Sequence, residues 1–357
     1  MCKILLLIDS LGAGGAERQL TGLAVMLAQQ GFNVEVCYFI NRDFYLPYLK
    51  ENKVKTYFLP KALKPQKRFG EIRKHIKVFN PDAVISFSSS PSMIACVLKM
   101  LGSKFNLIVS ERNTTQKVTF RVKMRFFLYR WANHIVPNSH SQANFIVNNY
   151  PSLSLKMKVI TNFVDINKFA PSNAKQYEHE DTRIICVGSI IPQKNIMRFS
   201  KAITELYNKG YKIHVDWYGQ NLRDAYAEEI HHYIVNNHLE KVVEFHNPTD
   251  SIQDAYICSD VFCLPSIYEG FPNVLCEAMS CGKPVLCSRV CDNPNIVCEG
   301  ENGYLFDPYR IEDMVSTMEH YLSLSNEDKV RMGKRSREIA ETLFSDKLFL
   351  HNFISIL

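Results

Sequence analysis

The fold is decided by one stretch near the N-terminus, KILLLIDSLGAGGAERQLTGLAVMLAQQGFNVEVCYFI, which spans residues 3–40. Residues 3–9 form an apolar run typical of a buried parallel strand, and a glycine-rich turn follows. Residues 16–30 carry apolar side chains at helical spacing, and Gly31 ends that helix at a C-cap position. The apolar stretch after Gly31 predicts a second strand. A strand–helix–strand unit of this kind predicts a parallel sheet with a right-handed crossover.

The same alternation continues along the chain, and a polar stretch at 171–182 interrupts it as a linker. We therefore predict an α/β protein with two Rossmann-like parallel-sheet domains, at 1–170 and 183–344. An amphipathic helix at 345–357 is expected to pack back on the first domain. Because ligands bind at the carboxyl ends of parallel strands, we expect the site in a cleft where the domains face each other. Further strands are predicted at 33–40, 83–87, 106–110, 135–137, 158–160, 183–187, 213–218, 242–245, 261–265 and 284–288.

Composition limits the class of protein. Apolar residues make up 46% and charged residues 22% of the 357, as in a folded soluble protein. The sequence has no run of about 18 apolar residues, so we expect no transmembrane helix. The eleven cysteines lack regular spacing and contain no Cys-x-x-Cys pair, which predicts reduced, mostly buried thiols in the cytoplasm. With no metal-ligand cluster or Asp-x-Asp dyad placed at a strand end, we expect neither metal nor cofactor.

Two glutamates bracket a short predicted helix in the segment EGFPNVLCEAM at 269–279. The strand at 261–265 leads into this segment, and the stop signal Gly-Lys-Pro at 282–284 closes it. Backbone N–H groups at such a helix start favour anionic or hydroxyl-rich ligands. Glu269 and Glu277 can each accept hydrogen bonds from sugar hydroxyls. The alternative is that Glu269 caps the helix and Glu277 lies in solvent, and spacing alone leaves both open.

This segment resembles the signature of the large retaining glycosyltransferase family 4. Four other segments are similar to landmarks of that family, in the same order, so the resemblance covers almost the whole chain. They are LGAGGAER at 11–18, NFVD at 162–165 with Phe169, VGSIIPQKN at 187–195 and NGYLF at 302–306. The resemblance implies the GT-B fold. It also implies retaining transfer of a hexose or N-acetylhexosamine from a nucleoside-diphosphate sugar to a glycan hydroxyl, as in surface polysaccharide (O-antigen or capsule) or glycolipid biosynthesis.

Residue roles follow from the resemblance. Glu269 would contact hydroxyls of the donor sugar, Lys194 would neutralise the diphosphate, and Glu277 would hold the ribose. Because the departing diphosphate gains negative charge, a lysine and helix N-termini must stabilise it in the absence of a metal. Ser189 stands where the family usually has arginine, so either Lys194 works alone or another cation substitutes. The donor-binding set implied is Gly14, Gly15, Gly188, Ser189, Lys194, Glu269, Gly270, Phe271, Pro272, Asn273, Val274 and Glu277.

A second group of polar residues follows the strand at 106–110. Glu111, Arg112 and Asn113 lie at its carboxyl end, where the family often has side chains that meet the acceptor or the transferred sugar. A structural salt bridge explains the same residues equally well.

Positive charge is concentrated in the first half of the chain. Through Lys168 there are 24 Lys and Arg against 9 Asp and Glu, and the remainder has 18 against 27. Two basic runs, at 61–77 and 117–130, account for much of this excess, and the second is interleaved with aromatic residues. This pattern suits an anionic membrane surface on the cytoplasmic face, where a lipid-linked acceptor would be met. The alternative is a partly buried helix with a solvated charged face. We expect no nucleic acid partner, since no binding module accompanies the charges.

Three other functions are compatible with parts of the sequence. Gly12-x-Gly14 begins like a dinucleotide fingerprint, but Glu17 occupies the position of the third glycine and would repel a pyrophosphate. That substitution argues against a nicotinamide-dependent oxidoreductase. A sugar-nucleotide epimerase of the same fold and a non-catalytic sugar-nucleotide-binding protein stay open.

Overall fold

The architecture comes from a computed structural model, which describes residues 2–112, 114–115, 117–172, 180–222 and 224–357. The chain divides into two compact units, Met1–Phe163 with Lys347–Leu357, and Val164–Asp346. The division precedes the predicted linker at 171–182, because Val164 and Phe169 are buried in the core of the second unit. The backbone N–H of Val164 also donates to the carbonyl of Phe344 at 2.9 Å. Most of the predicted linker, residues 173–179, lies outside the described residues.

The first unit is built on a six-stranded parallel sheet in the order β3-β2-β1-β4-β5-β6. Both faces of β1 are buried, with Ile4 and Leu6 in one core cluster and Leu5 and Leu7 in the other, which explains its unbroken apolar run. The order reverses between β1 and β4, so this is the switch point of the sheet. The strands are β1 Lys3–Leu7, β2 Asn33–Tyr38, β3 Lys55–Phe58, β4 Ala83–Phe87, β5 Asn106–Glu111 and β6 His134–Pro137.

One sequence prediction in this unit fails, and one strand was missed. Residues 158–160 form no strand, and only an isolated bridge joins the neighbouring Met157 to Ile135. The edge strand β3 escaped prediction because its side chains are mostly exposed and carry no apolar alternation. Helices cover the sheet, and Gly31 follows the first of them with φ +86°, as its C-cap position predicts. They are α1 Gly15–Gln29, α2 Leu46–Glu51, α3 Pro65–Phe79, α4 Ser89–Met100, α5 Phe120–Leu128 and α6 His140–Asn149.

The second unit repeats the topology with a six-stranded parallel sheet in the order β12-β11-β10-β7-β8-β9. Its switch point lies between β7 and β10. The strands are β7 Thr182–Val187, β8 Ile213–Tyr218, β9 Val243–His246, β10 Val261–Leu264, β11 Val285–Ser288 and β12 Gly303–Phe306. The helices are α7 Ile196–Asn208, α8 Ala225–Asn236, α9 Ile252–Ile257, α10 Asn273–Ser280, α11 Asn293–Ile296, α12 Ile311–Leu322 and α13 Asn326–Leu343.

The last helix, α14 (Asp346–Ile354), packs on the first unit. Phe349 and Phe353 are buried in the same cluster as the β1 side chains. The side-chain amide of Asn106 donates to the carbonyls of Ile356 and Leu357, both at 2.9 Å. The C-terminal residues therefore complete the core of the first unit.

Two predictions from composition concern the lengths of the apolar helices and the state of the cysteines. Across the described ranges, the helices are all too short or too polar to span a lipid bilayer. The eleven cysteines all fall within those ranges and are free thiols. Cys276, Cys281 and Cys287 are buried, and burial raises the pKa of Cys281 to about 12, so it stays protonated near neutral pH.

Candidate active site

The candidate site of the second unit is built from the loops that follow β7 and β10. These strands are hydrogen-bonded neighbours at the switch point, so their loops emerge side by side at the carboxyl edge of the sheet. Gln193 joins the loops twice. Its carbonyl accepts from the N–H of Ile267 at 2.8 Å, and its side-chain amide donates to the carbonyl of Tyr268 at 2.9 Å.

Lys194 and Glu269 are paired across these loops. The Nζ atom of Lys194 lies 2.6 Å from Oε1 of Glu269, and the two side chains are only 15% and 10% exposed. A short charge-assisted hydrogen bond away from bulk water holds both groups in one geometry. The backbone N–H of Glu269 donates to Sγ of Cys291 at 3.4 Å, which anchors the loop to the turn after β11. Lys194 and Glu269, predicted to act together on the donor, are therefore in direct contact.

Gly188 makes room for the lysine. A Cβ atom at position 188 would lie 2.8 Å from Cε of Lys194, so the aliphatic part of that side chain rests on the glycine backbone. The carbonyl of Gly188 accepts from the indole N–H of Trp217 at 2.7 Å. A Cβ atom at Gly219 would meet the same carbonyl oxygen at 2.0 Å. Trp217 and Gly219, which sequence reasoning missed, thus fix the loop in which Ser189 also lies.

Asn195 holds the lysine-bearing turn in place. It is buried and left-handed, with φ 61° and ψ 31°, a conformation that asparagine tolerates better than most residues. Its side-chain amide donates to the carbonyls of Pro265 at 3.1 Å and Pro308 at 2.7 Å. The spacing of the motif gave no sign of this role, because both partners are distant in sequence.

The helix that follows Glu269 and contains Glu277, α10, begins after Pro272. Its N-cap residue, Pro272, makes no side-chain capping bond, and Oε1 of Glu269 is paired with Lys194. The ion pair occupies one oxygen of the carboxylate, so the capping alternative stays open. The N–H of Asn273 donates to the carbonyl of Phe271 at 2.9 Å, so one backbone amide predicted to face the donor is used within the loop. Phe271 packs edge-to-face on Phe344, with ring centroids 5.8 Å apart, which fixes the start of the helix.

Glu277 lies on α10 and is buried, with only 5% of its surface exposed, so its predicted alternative as a solvated side chain is wrong. The hydroxyl of Tyr256 donates to Oε2 of Glu277 at 3.3 Å and also lies 3.3 Å from the carbonyl of Val274. Tyr256 comes from α9 and is itself fully buried. This tyrosine positions the second glutamate, and nothing in its sequence surroundings pointed to it.

In the first unit, the glycine-rich loop also lies at a switch point, directly after β1. Gly14 precedes α1, and Gly15 is the first residue of that helix. A Cβ atom at Gly14 would lie 2.2 Å from Oε2 of Glu17, whose other oxygen accepts from the hydroxyl of Ser10 at 3.0 Å. A side chain at position 14 would push the Glu17 carboxylate aside, and the implied role of Gly14 and Gly15 toward the donor stays a prediction.

Glu111 is an internal structural residue. It is buried at the end of β5, lies 3.4 Å from Nη2 of Arg125 and accepts a hydrogen bond from the hydroxyl of Tyr129. Burial raises the pKa of this carboxyl, while Arg125 and the hydroxyl of Tyr129 act in the opposite direction. These contacts favour the structural salt bridge over an acceptor-side role. Asn113 lies outside the described residues.

Arg112 is also engaged within the first unit. Its guanidinium lies 4.9 Å from the ring centroid of Phe87 and donates to Oδ1 of Asn162 at 2.8 Å. Rings of α14, those of Phe349 and Phe353, lie 5.7 Å away. Burial lowers the pKa of Arg112 to about 9. Arg112 therefore ties β5 to the C-terminal helix, and its contacts also favour a structural role.

Both halves of the chain match known protein families. Residues 13–168 match the family described as Glycosyltransferase Family 4, and residues 169–339 match the family described as Glycosyl transferases group 1. The two matches adjoin and leave out only short ends of the chain. The chain belongs to glycosyltransferase family 4. The family predicted from the Glu269–Glu277 segment is thus confirmed.

Relatives of this family 4 glycosyltransferase span nearly its full length. The amylovoran biosynthesis glycosyltransferase AmsD of Erwinia amylovora is 25% identical over 86% of each chain. The N-acetylgalactosamine-N,N'-diacetylbacillosaminyl-diphospho-undecaprenol 4-alpha-N-acetylgalactosaminyltransferase of Campylobacter jejuni is 23% identical over 98% of this chain and 97% of its own. The crystal structure of Anabaena Alr3699/HepE in complex with UDP matches with a TM-score of 0.88 at 17% identity, over 99% of both chains. This likeness confirms the predicted GT-B fold class.

Proposed function

We propose that this family 4 glycosyltransferase moves a hexose or N-acetylhexosamine from a nucleoside-diphosphate sugar to a hydroxyl of a lipid-linked glycan acceptor, with retention of configuration. The observation that carries the proposal is the Lys194–Glu269 pair, 2.6 Å apart at the switch point of the second sheet. The UDP recorded for the Anabaena structure supports the donor class. The undecaprenol-linked substrate in the Campylobacter enzyme's name supports the acceptor class.

Lys194 stabilises the leaving group in this proposal. An ammonium has three N–H donors, and Glu269 takes one of them, so others can be donated to phosphate oxygens. Charge on the diphosphate grows as the glycosidic bond breaks, and a preorganised cation acts most strongly at that moment. Ser189 supplies no charge, so Lys194 carries this role in the loop after β7. Loss of one such contact lowers kcat by a factor of about 10²–10³.

The glutamates bind the rest of the donor. A carboxylate offers about four lone-pair sites, so Glu269 can hold Lys194 and a sugar hydroxyl together. Glu277, oriented by Tyr256, accepts from the ribose hydroxyls. Because Glu269 is committed to an ion pair, we propose displacement on one face of the sugar. The bond from C1 to the acceptor oxygen forms as the bond to the phosphate oxygen breaks, and that phosphate oxygen takes the acceptor proton.

Transfer is proposed to need no divalent metal, because Lys194 provides positive charge beside the glycine loop at Gly188. Activity should persist when the enzyme is assayed in excess EDTA after dialysis against the chelator. Loss of activity in EDTA, restored by a divalent cation, would contradict this part of the proposal.

The first unit is proposed to dock on the anionic cytoplasmic leaflet through α5. Phe120 is 78% exposed, and Met124 and Phe127 are also largely exposed. Arg130 stacks on Phe127 at 5.0 Å, beside an open groove of about 410 Å³. Basic residues flanking exposed apolar rings suit a lipid surface. The further exposed cations on or next to α5 are Lys117, Arg121 and Lys123.

Two arginines of the basic runs do not contribute to this surface. Arg125 is turned inward, where it donates to Ser89 at 2.8 Å and pairs with Glu111. Arg68 donates to the hydroxyl of Ser90 at 2.9 Å. The docking surface is therefore narrower than the sequence runs at 61–77 and 117–130 suggest.

The proposed function is tested by donor screening followed by product analysis. Thermal-shift measurements with UDP-, GDP- and ADP-sugars select the donor, since a bound ligand raises the melting temperature according to its concentration over Kd. The selected donor is then incubated with an undecaprenyl-diphosphate-linked glycan. We expect free nucleoside diphosphate and a new glycoside whose anomeric configuration, read by NMR, matches that of the donor. Lys194→Ala serves as the inactive control.

Each rival function gives a different product. An epimerase would convert the donor to its isomer without acceptor and release no nucleoside diphosphate. A binding protein would show a thermal shift with a donor but no turnover with any acceptor. Either outcome overturns the proposed transfer reaction.

A further inference from the structure

Four side chains with metal-binding chemistry meet on one face of the second sheet, on strands β8 and β9. His214 and Asp216 lie on β8, and Glu244 and His246 lie on β9. Alternate residues of a strand share a face, and Asp216 and Glu244 are direct partners in the register of the two strands. The cluster is therefore placed by the sheet itself.

The potential ligand atoms lie close together. Nε2 of His214 is 3.5 Å from Oδ1 of Asp216 and 3.9 Å from Oε2 of Glu244. One ligand atom from each of these residues falls within 4.8 Å of both others. A tetrahedral zinc ion with ligands at about 2.0–2.1 Å separates neighbouring ligand atoms by about 3.3–3.4 Å. The Glu244 side chain is 59% exposed, so its carboxylate can move the few tenths of an ångström that would bring Oε2 to that distance from His214.

The charges on this face also favour a cation. Asp216 and Glu244 stand opposite each other on neighbouring strands, and two carboxylates so placed repel. Arg183 offsets the charge of Asp216 only, with its Nη1 atom 3.3 Å from Oδ2 of that carboxylate. His246 lies 2.8 Å from Oδ1 of Asp216 and 4.0 Å from Oε1 of Glu244. The two carboxylates outnumber the one guanidinium, so Arg183, Asp216 and Glu244 together carry a net negative charge that a divalent ion would reverse.

We propose that His214, Asp216 and Glu244 form a binding site for a divalent transition-metal ion, with Zn²⁺ as the best match. Imidazole nitrogen and carboxylate oxygen are ligands that zinc accepts, whereas Mg²⁺ and Ca²⁺ prefer oxygen alone. His246 orients the Asp216 carboxylate from outside the ligand set, a position that tunes metal affinity. Water completes the coordination.

The ion would stabilise the sheet rather than take part in transfer. It would join β8 to β9, the edge strand of the sheet. The residue after β8, Gly219, packs against Gly188 in the loop after β7. A ligand that binds only the folded state raises the melting temperature. This inference goes beyond the proposed function and does not depend on it.

The test is a direct binding measurement on the full chain. Protein freed of metal with chelator is titrated with Zn²⁺ in competition with a chromophoric chelator, and one equivalent should bind. Glu244→Gln and His214→Gln should each weaken binding by more than about tenfold, and His246→Gln by about 10–100-fold. Zn²⁺ should raise the melting temperature of the wild type more than that of Glu244→Gln.

Two controls separate this site from other groups with affinity for zinc. His231 and His232 are exposed neighbours on α8, outside the proposed metal site. Their double change to Gln should leave Zn²⁺ binding unchanged. Cys258 is an exposed thiol, so Cys258→Ser should also bind normally. A Co²⁺ complex should lack the thiolate charge-transfer band.

The proposal is overturned if the wild type binds no stoichiometric Zn²⁺, or if Glu244→Gln and His214→Gln both bind like the wild type. A thiolate band in the Co²⁺ spectrum would likewise reject this ligand set. Circular dichroism of each variant shows whether the fold is retained. No donor or acceptor is used, so failure here leaves the transferase proposal unaffected.

Discussion

The ammonium of Lys194 lies 2.6 Å from the carboxylate of Glu269, although 75 residues separate them in sequence. The contact exists because β7 and β10 are neighbours at the switch point, and because Gln193 joins their loops. Gly188 and Asn195 hold the lysine from two sides. The pair is therefore a product of topology, and its removal provides the sharpest tests.

Lys194→Ala should lower kcat by about 10²–10³ while leaving the fold intact, because the departing diphosphate loses its cation. Turnover assays with the selected donor, alongside circular dichroism, measure this effect. The matched control is Lys209→Ala, which removes an exposed lysine paired with Glu319 at 2.8 Å and should keep normal activity. A near-normal rate for Lys194→Ala would reject its proposed role.

Glu269→Gln and Glu277→Gln should differ in kinetic signature. Glu269→Gln should lower kcat/KM by roughly ten- to a hundredfold, because losing a hydrogen bond to a charged group costs about 1.5–3 kcal/mol. Glu277→Gln should act mainly by raising the donor KM, and Tyr256→Phe should raise it more weakly, because the tyrosine only orients Glu277. Steady-state kinetics over a range of donor concentration separate kcat from KM. If Tyr256→Phe lowered kcat as strongly as Glu269→Gln does, Tyr256 would have more than a positioning role.

Gly188→Ala should reduce activity by displacing the lysine, since the new Cβ atom would fall 2.8 Å from Cε of Lys194. The defect should appear in kcat, and the melting temperature should also fall, because alanine is strained at the φ of +159° that Gly188 adopts. Gly70→Ala is the control. Position 70 lies in α3 with open space around its Cβ direction, and alanine there should be neutral or stabilising by about 0.5–1 kcal/mol. Full activity in Gly188→Ala would contradict the packing argument.

Membrane binding should depend on α5. Changing Phe120, Met124 and Phe127 together to serine should weaken sedimentation with anionic vesicles by at least about tenfold, because exposed apolar area is lost. Raising the salt concentration should weaken wild-type binding as well. The control changes Val330 and Leu343, exposed apolar residues of α13, to serine. Equal binding by all three proteins, or none by the wild type at low salt, would exclude docking through α5.

Glu111 predicts a pH dependence of stability. Burial raises its pKa above the ordinary 4.5, so between that value and the higher folded pKa the folded state binds more protons than the unfolded state. The free energy of unfolding contributed by this group therefore falls as pH rises through that window. Glu111→Gln cannot titrate, so its unfolding free energy should fall less over the same range. Urea unfolding of both proteins at several pH values upward from 4.5 measures the difference, and parallel curves would contradict it.

Much of the fold could be predicted from local pattern. The apolar run of β1 predicts a strand buried on both faces, and its two core clusters agree. Helix α13 begins after Ser325, whose hydroxyl accepts from the N–H of Asp328 at 3.1 Å, a capping contact between residues only three apart in sequence. The strand β3 was missed because an exposed edge needs no apolar alternation.

The candidate site, like the fold, was predicted only in part from the sequence. Sequence alone determined the family, the loops that follow the predicted strands and the segment with the two glutamates, because these depend on residue order and short-range spacing. Only the tertiary structure decided that Glu269 pairs with Lys194, that Tyr256 orients Glu277, and that Glu111 and Arg112 are held internally. The physical reason is that each of these contacts joins side chains from different strands or helices, and its distance is set by sheet order and packing. Spacing along one segment carries no information about such contacts.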